Sequence, residues 1–301
     1  MPVLTGLLRT MRPKQWTKNL LFVFPAIVFD GQLFDTDPFL RVMAAFVMLC
    51  LISGTVYIMN DIVDIESDRA HPRKKNRPLP SGQLSVGVAK VAVFIIPAGT
   101  LAAAFAFSQP LAAILIAYLL MQIVYSFKLK HVVIIDVLII MIGFIMRVAA
   151  GVVVIDVENF SPWLYATTGL LALFLAIGKR RQELLIQGEN AGNVRSNLKE
   201  YNLPLLDDML RVVTTSTLIT YILYTIEVPT DDVTAALGPN LGLITVPFVM
   251  YGLFRYLYLI HVKGEGSAPD EVLFKDRPLQ ITLVLFGLTF IGILYVLPEY
   301  L

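Results

Sequence analysis

Cysteine and charge are what this chain has least of. A single cysteine, Cys50, occurs in 301 residues and sits inside an apolar run, so disulfides play no part in its stability. Charged residues make up only 16%, where a soluble domain of this size carries about a quarter. With 56% hydrophobic residues and a mean hydropathy of +0.72, that shortage excludes a soluble globular class. The chain reads as an integral membrane protein. No low-complexity segment and no internal repeat is visible. A cleavable signal peptide is not expected, because the N-terminus is basic and the first apolar run lacks a small-residue cleavage site.

What the chain does have is apolar stretches of membrane-crossing length. Nine spans are expected, near 20–34, 39–59, 88–107, 111–126, 132–154, 163–178, 205–228, 241–261 and 279–297. They imply an all-α fold, with Pro13, Pro25, Pro97 and Pro247 able to kink it. Net charge is only +1, yet its distribution is polarised. Of the 24 Lys and Arg, all but Arg41, Arg147, Arg211 and Arg255 fall before span 1 or in alternate connections, counting Lys90 at the edge of span 3. The opposite connections and the C-terminus carry Asp30, Asp35, Asp37, Asp156, Glu158, Glu227, Asp231, Asp232 and Glu299 instead. By the positive-inside rule the N-terminus is cytoplasmic and the C-terminus outside, in a multi-pass cell (inner or plasma) membrane protein. The expected organisation is one membrane domain, 1–301, with cytoplasmic cap loops at 60–87, 179–204 and 262–278.

The most informative segment runs from Tyr57 to Gly82, YIMNDIVDIESDRAHPRKKNRPLPSG. Asn60, Asp61, Asp64 and Asp68 fall on one side of a helix, extending a line begun by Tyr57. Carboxylates crowded this closely repel unless a divalent metal joins them. Magnesium suits them, since it takes a few carboxylate oxygens and keeps positions for waters and phosphates. The basic run Arg69, His71, Arg73, Lys74, Lys75 and Arg77 follows directly, as a diphosphate site requires. The alternative is a solvated, self-neutralising loop; the position at a membrane boundary argues against it.

Other groups sit at the same boundary. Lys179, Arg180 and Arg181 emerge at the inner end of span 6, followed by Glu183, Arg195, Lys199 and Tyr201. They form an anion receptor or simply flank the span. Lys128 and Lys130 occupy the tight YSFKLKH loop, with the same two readings. Inside span 5, Asp136 and Arg147 are three helical turns apart on one face. Intramembrane charges point to function, so Arg147 is expected to line a cavity, or else to pair with a buried carboxylate. Asp136 could instead orient Lys130. Trp16 reads as an interfacial anchor beside Arg12 and Lys14, and Lys18 can turn inward or snorkel. The stretch from Pro269 to Gln280, with Asp270, Glu271, Lys275, Asp276 and Arg277, is expected to brace the cap.

The N-D-x-x-D-x-x-x-D run from Asn60 to Asp68 resembles the first aspartate-rich motif of the UbiA superfamily of membrane prenyltransferases. Beyond it, RPKQWTKN, YSFKLKH, FIMRVAAG with Arg147, and GKRRQEL resemble, in order, the decaprenyl-phosphate phosphoribosyltransferase branch. The superfamily's second D-x-x-x-D is absent; Lys179, Arg180 and Arg181 stand in its loop. The resemblance implies nine transmembrane helices around a central cavity and a magnesium-bound diphosphate. It implies transfer of 5-phosphoribose from 5-phosphoribosyl-1-pyrophosphate to a polyprenyl phosphate, at an active site facing the cytoplasm. Asp61, Asp64 and Asp68 would be catalytic and, with Asn60, would bind the metal. Lys18, Lys74, Arg77 and Lys130 would meet the sugar donor, with Tyr57 near its ribose, Arg147, Lys179, Arg180 and Arg181 would meet the lipid phosphate, and Lys128 and Tyr201 would also bind substrate. A homo-oligomer in the bilayer is compatible with this, and nucleic acid has no part in it. The competing readings are a prenyl transfer to an aromatic acceptor, and a transporter or lipid-binding protein.

Overall fold

The computed structural model describes residues 3–70, 74–155, 157, 161–187, 196–227, 240–264, 272 and 275–297. Within them the chain is helical: α1 (Val3–Thr10), α2 (Trp16–Val23), α3 (Pro25–Phe29), α4 (Thr36–Val63), α5 (Ile65–Ala70), α6 (Val86–Phe107), α7 (Gln109–Phe127) and α8 (Ile135–Val152) come first. Then follow α9 (Pro162–Gln187), α10 (Leu203–Glu227), α11 (Val246–His261) and α12 (Arg277–Ile291). Long apolar runs adopt helices because a bilayer offers backbone groups no other partner. Eight helical segments among the described residues are long and apolar enough to cross a membrane. The expected span at 20–34 is instead built from the short pair α2 and α3. Pro25, the first residue of α3, cannot donate to the carbonyl one turn back, so the helix restarts there.

The described contacts group into two compact units, one of Met1–Lys128 with Met146–Glu158, the other of Leu129–Ile145 with Asn159–Leu301. In the first, α4 is the spine, packed on α1, α2, α6 and α7. At 28 residues it is the longest helix among the described residues, about 42 Å at 1.5 Å per residue. That exceeds a hydrocarbon core of about 30 Å. Its last turns are therefore free to reach the interface. There Met11, Ile58, Leu79, Leu84, Ala89 and Ala92 form a buried cluster, with Trp16 packed on its edge. Ser108 ends α6 and its hydroxyl caps α7, accepting from Leu111 N–H, which makes the connection a single residue. Gly151, near the end of α8, is a packing requirement: a Cβ there would lie 2.1 Å from the Val23 carbonyl oxygen.

In the second unit α9 and α10 form an antiparallel pair. Arg181 meets Asp207, Thr167 meets Thr220 and Ser161 meets Glu227, a register that runs down the whole length of both helices. Phe174, Ile177, Leu198, Leu206, Leu210, Tyr256 and Leu259 fill its core. Tyr221 and Tyr224 of α10 pack on Phe286 and Phe290 of α12. Asp276 caps α12 by accepting from Leu279 N–H and also binds Arg255 at 2.8 Å. This is the bracing expected near Gln280. The partner hydrogen bond holds the Asp276 carboxyl below the usual carboxylate range. Asp270 and Glu271 lie outside the described residues, as do Asp156, Glu158, Asp231, Asp232 and Glu299.

Candidate functional site

The carboxylates gather where α4 ends. Asp64 caps that helix with φ −90° and ψ 7°, and α5 begins at the next residue. The helical path nevertheless survives the break. Asp64 N–H donates to the Asn60 carbonyl at 2.9 Å, and Asp68 N–H to the Asp64 carbonyl at 2.8 Å. Asn60, Asp64 and Asp68 thus keep the one-turn spacing that the sequence pattern anticipates. Asn60 and Asp64 are partly exposed, while Asp61 and Asp68 are only 2% and 1% exposed.

Burial of two carboxylates demands compensation, and arginines supply it. Arg12 Nη2 lies 2.6 Å from Asp61 Oδ1. Arg77 Nη1 bridges both acids, 3.2 Å from Asp61 Oδ1 and 2.6 Å from Asp68 Oδ2. Lys74 Nζ approaches Asp68 Oδ1 at 3.6 Å. The Arg12 guanidinium also stands over the Tyr57 ring, 4.7 Å from its centroid. Its backbone is left-handed, φ 55° and ψ 66°, at the bend between α1 and α2. A pocket of about 310 Å³ opens beside these groups, lined by Arg9, Arg12, Asp61, Asn76, Arg77 and Pro78. Cations outnumber carboxylates on its walls, so an anion is the ligand it favours. His71 and Arg73 lie outside the described residues.

Among the described residues no group of three or more His, Cys, Asp or Glu is arranged to hold a metal ion. Asp61 and Asp68 hold guanidinium groups because, buried, they need fixed partners. Asn60 and Asp64 remain a suitable pair for magnesium. Their oxygens are hard donors one turn apart, and that ion commonly completes its octahedron with phosphate and water.

Arg147 occupies a second polar cluster in the same unit. Its Nε donates to Asn19 Oδ1 at 2.8 Å and its Nη2 to the Tyr118 hydroxyl at 2.7 Å, with the guanidinium 5.0 Å from that ring's centroid. Asn19 Nδ2 in turn donates to Ser53 Oγ at 3.1 Å and approaches Cys50 Sγ at 3.2 Å. These partners are neutral. Asn19 and Tyr118 went unread in the sequence. The signal was present in each: an amide in the turn opening an apolar run, and a tyrosine amid aliphatic residues.

In the second unit Arg180 and Arg181 have carboxylate partners. Arg180, 2% exposed, donates from Nε to Asp136 Oδ2 at 2.8 Å and from Nη1 to Glu183. Arg181 donates to Asp207 Oδ1 at 2.6 Å and to the Ile260 carbonyl at 3.3 Å. The Tyr201 hydroxyl accepts from Ile134 N–H at 2.7 Å and donates to Asp136 Oδ1 at 2.8 Å. Burial pushes the Tyr201 phenol up from its ordinary value, which keeps that donated proton in place. Asp136 therefore orients Arg180 and Tyr201, and through Tyr201 fixes Ile134, a β-branched residue with φ 68°. The side chains of Arg180, Arg181 and Tyr201 thus have protein partners in this fold. Lys130 and Lys179 are partly exposed and Lys128 is exposed; Lys18 in the first unit is partly exposed. Arg195 lies outside the described residues.

Comparisons with known proteins agree with this architecture. A model of the UbiA prenyltransferase family matches residues 19–276. The decaprenyl-phosphate phosphoribosyltransferase of Corynebacterium glutamicum is 30% identical over 298 residues, covering 98% of this chain and 88% of that relative. The enzyme of the same name from Mycolicibacterium smegmatis is 30% identical over 284 residues, 93% of this chain and 89% of its own. Among solved structures, a UbiA homolog from Archaeoglobus fulgidus bound to DMAPP and Mg2+ superposes with a TM-score of 0.70 at 18% identity, covering 97% of this chain and 99% of that one. That last likeness is one of fold.

Proposed function

Because the chain belongs to the UbiA prenyltransferase family and is a membrane transferase, we propose that it moves 5-phosphoribose from 5-phosphoribosyl-1-pyrophosphate to a polyprenyl phosphate such as decaprenyl phosphate. The observation that carries this reading is the cation-lined pocket beside Arg9, Arg12, Asn76 and Arg77, with Asp61, the chain neighbour of Asn60, on its wall. Two relatives named for phosphoribosyl transfer, each aligned over more than nine-tenths of this chain, support it. The absence of a second D-x-x-x-D in the sequence favours it over prenyl transfer to an aromatic acceptor.

The donor's diphosphate and 5-phosphate are drawn to Lys18, Lys74 and Arg77, with Tyr57 one turn above Asn60 and Asp61. Asn60 and Asp64 would hold magnesium, which when bound neutralises charge growing on the departing diphosphate. Asp61 and Asp68 contribute by orienting Arg12, Arg77 and Lys74. Preorganised cations of this kind stabilise a leaving group without reorganising during the reaction. Loss of diphosphate leaves an oxocarbenium-like anomeric carbon. The lipid phosphate is already ionised, so its oxygen attacks without a strong general base, and in-line attack inverts the anomeric centre. Arg147, held by Asn19 and Tyr118, is the proposed contact for that phosphate. The products are polyprenylphosphoryl-5-phosphoribose and pyrophosphate. The positive-inside pattern supports an active site facing the cytoplasm at the inner membrane.

The test offers purified protein radiolabelled phosphoribosyl pyrophosphate with polyprenyl phosphate, and in parallel a prenyl diphosphate with a hydroxybenzoate. Label appearing in lipid only in the first reaction is the expected result. Prenylated hydroxybenzoate instead would assign the chain to the aromatic branch.

A further inference from the structure

We infer that Gly54 is a positioning residue for the donor site: its missing side chain is the notch into which Met11 keys, and that key sets where Arg12 stands in the pocket. This rests on the reading that the pocket takes the sugar donor. It adds a residue of α4, about two turns before Asp61, through which that site is tuned.

The helix α4 presents one stripe to the N-terminal bend. Tyr57, Ile58 and Asp61 follow Gly54 by three, four and seven residues, which sets all of them on one face. Met11 and Arg12, adjacent in the chain, grip that stripe at different heights. Met11 is 2% exposed and packs in the buried cluster with Ile58. Arg12 reaches Asp61 Oδ1 at 2.6 Å, and its guanidinium stands 4.7 Å from the centroid of the Tyr57 ring. Glycine weakens the interior of a helix relative to alanine, so its place in α4 asks for a local reason. The Met11 side chain supplies one.

The fit leaves no slack. A Cβ at Gly54 would lie 2.6 Å from Met11 Cε, 3.1 Å from Met11 Cβ and 3.2 Å from Met11 Cγ. The terminal methyl can swing aside, since methionine is flexible. The Cβ cannot, because it is fixed to the backbone. An added methyl therefore shifts Met11 as a whole by a few tenths of an ångström, and the next residue moves with it. Arg12 has little capacity to absorb that shift. Its backbone is left-handed, φ 55° and ψ 66°, a conformation that persists only where the surroundings over-determine it. Met11 is one of its determinants and the Asp61 carboxylate another. The pocket wall that moves is the one carried by the N-terminal segment, Arg9 and Arg12; Asn76, Arg77 and Pro78 come from a different stretch of chain.

The experiment is a double-mutant cycle on the full chain in detergent, combining Gly54→Ala with Arg12→Gln. One readout is kcat/KM for phosphoribosyl pyrophosphate. The other is the rise in melting temperature that phosphoribosyl pyrophosphate alone produces, which needs no turnover. Gly54→Ala is expected to lower kcat/KM for the donor about fivefold, a fraction of the roughly hundredfold that a 1 Å misplacement can cost. It should also shrink the melting shift, while the KM for polyprenyl phosphate stays at the wild-type value. With Arg12 already replaced, Gly54→Ala should change kcat/KM by less than about twofold, because the group it acts through is gone. If Gly54→Ala does not fold, Met11→Leu takes its place with the same expectations: it keeps the buried bulk but puts a branch on the carbon that lies against Gly54. Arg12→Lys likewise stands in for Arg12→Gln. Equal effects of Gly54→Ala in both backgrounds, or a folded Gly54→Ala with wild-type values, would overturn the positioning role and leave the proposed function intact. Unchanged donor kcat/KM and melting shift in Arg12→Gln would overturn the pocket reading and the positioning role together, as would a wild type showing neither turnover nor a melting shift.

Discussion

Asn19 Oδ1 accepts a hydrogen bond from Arg147 Nε at 2.8 Å, across 128 residues of chain. The contact exists because Gly151, one turn beyond Arg147, lets the end of α8 close on the Val23 carbonyl. Asn19 is itself held by Ser53 of α4, and Tyr118 of α7 receives a second bond from the same guanidinium. Four helices of the first unit are thus tied to one cation.

Replacing Asn19 with Leu should therefore cost stability as well as function. Losing an acceptor for a charged donor costs about 1.5–3 kcal/mol. The expected outcome is a lower melting temperature in detergent and a raised KM for polyprenyl phosphate. A melting curve identical to wild type would show that the Asn19 contact is incidental.

The Arg180–Asp136 pair offers a sharper discrimination between structure and substrate. Both side chains are buried, so removing one alone should destabilise by about 3–5 kcal/mol. Replacing both with apolar residues of similar size, Arg180→Met with Asp136→Leu, should recover much of that loss. Phosphoribosyl transfer by the double variant should then exceed that of Arg180→Met. If the double variant folds well yet stays inactive, Arg180 touches the lipid phosphate after all.

Acid should loosen the start of α12. The Asp276 carboxyl titrates below its unfolded value in the folded protein because Arg255 and the Leu279 amide favour its charged form. Its contribution is complete above the unfolded pKa of about 3.9 and is lost as pH falls through the lower folded value. Asp276→Asn keeps the cap and removes the charge. The melting-temperature difference between wild type and this variant should be constant above about pH 5 and shrink as pH falls through the lower folded value. A difference that grows on acidification would contradict the pairing.

Much of this was legible in the sequence where chemistry is local. Apolar run length gave the long helices, and the spacing of Asn60, Asp64 and Asp68 survived a helix break because the backbone bonds continue through it. The first span was legible as apolar and not as a helix pair, since whether Pro25 bends or restarts a helix depends on what packs there. Long-range pairing was the part sequence could not supply. Nothing in GKRRQEL says that Arg180 lies against Asp136, 44 residues earlier, or that Arg181 meets Asp207. A run of cations at a membrane boundary looks the same whether it awaits a phosphate or already holds carboxylates. Asn19 was hidden for the same reason, its meaning residing wholly in Arg147.

The most direct measurement compares wild type with Asp64→Ala, assaying transfer of label from phosphoribosyl pyrophosphate to polyprenyl phosphate across a magnesium titration. Wild type should transfer label in proportion to bound magnesium. Asp64→Ala should melt like wild type and transfer essentially nothing at any magnesium concentration, since Asp64 is a partly exposed helix cap whose loss spares the buried Asp61 and Asp68 pairs. Turnover by a folded Asp64→Ala near the wild-type rate, with the same magnesium dependence, would contradict the assignment of the Asn60–Asp64 pair as the place where metal and diphosphate meet.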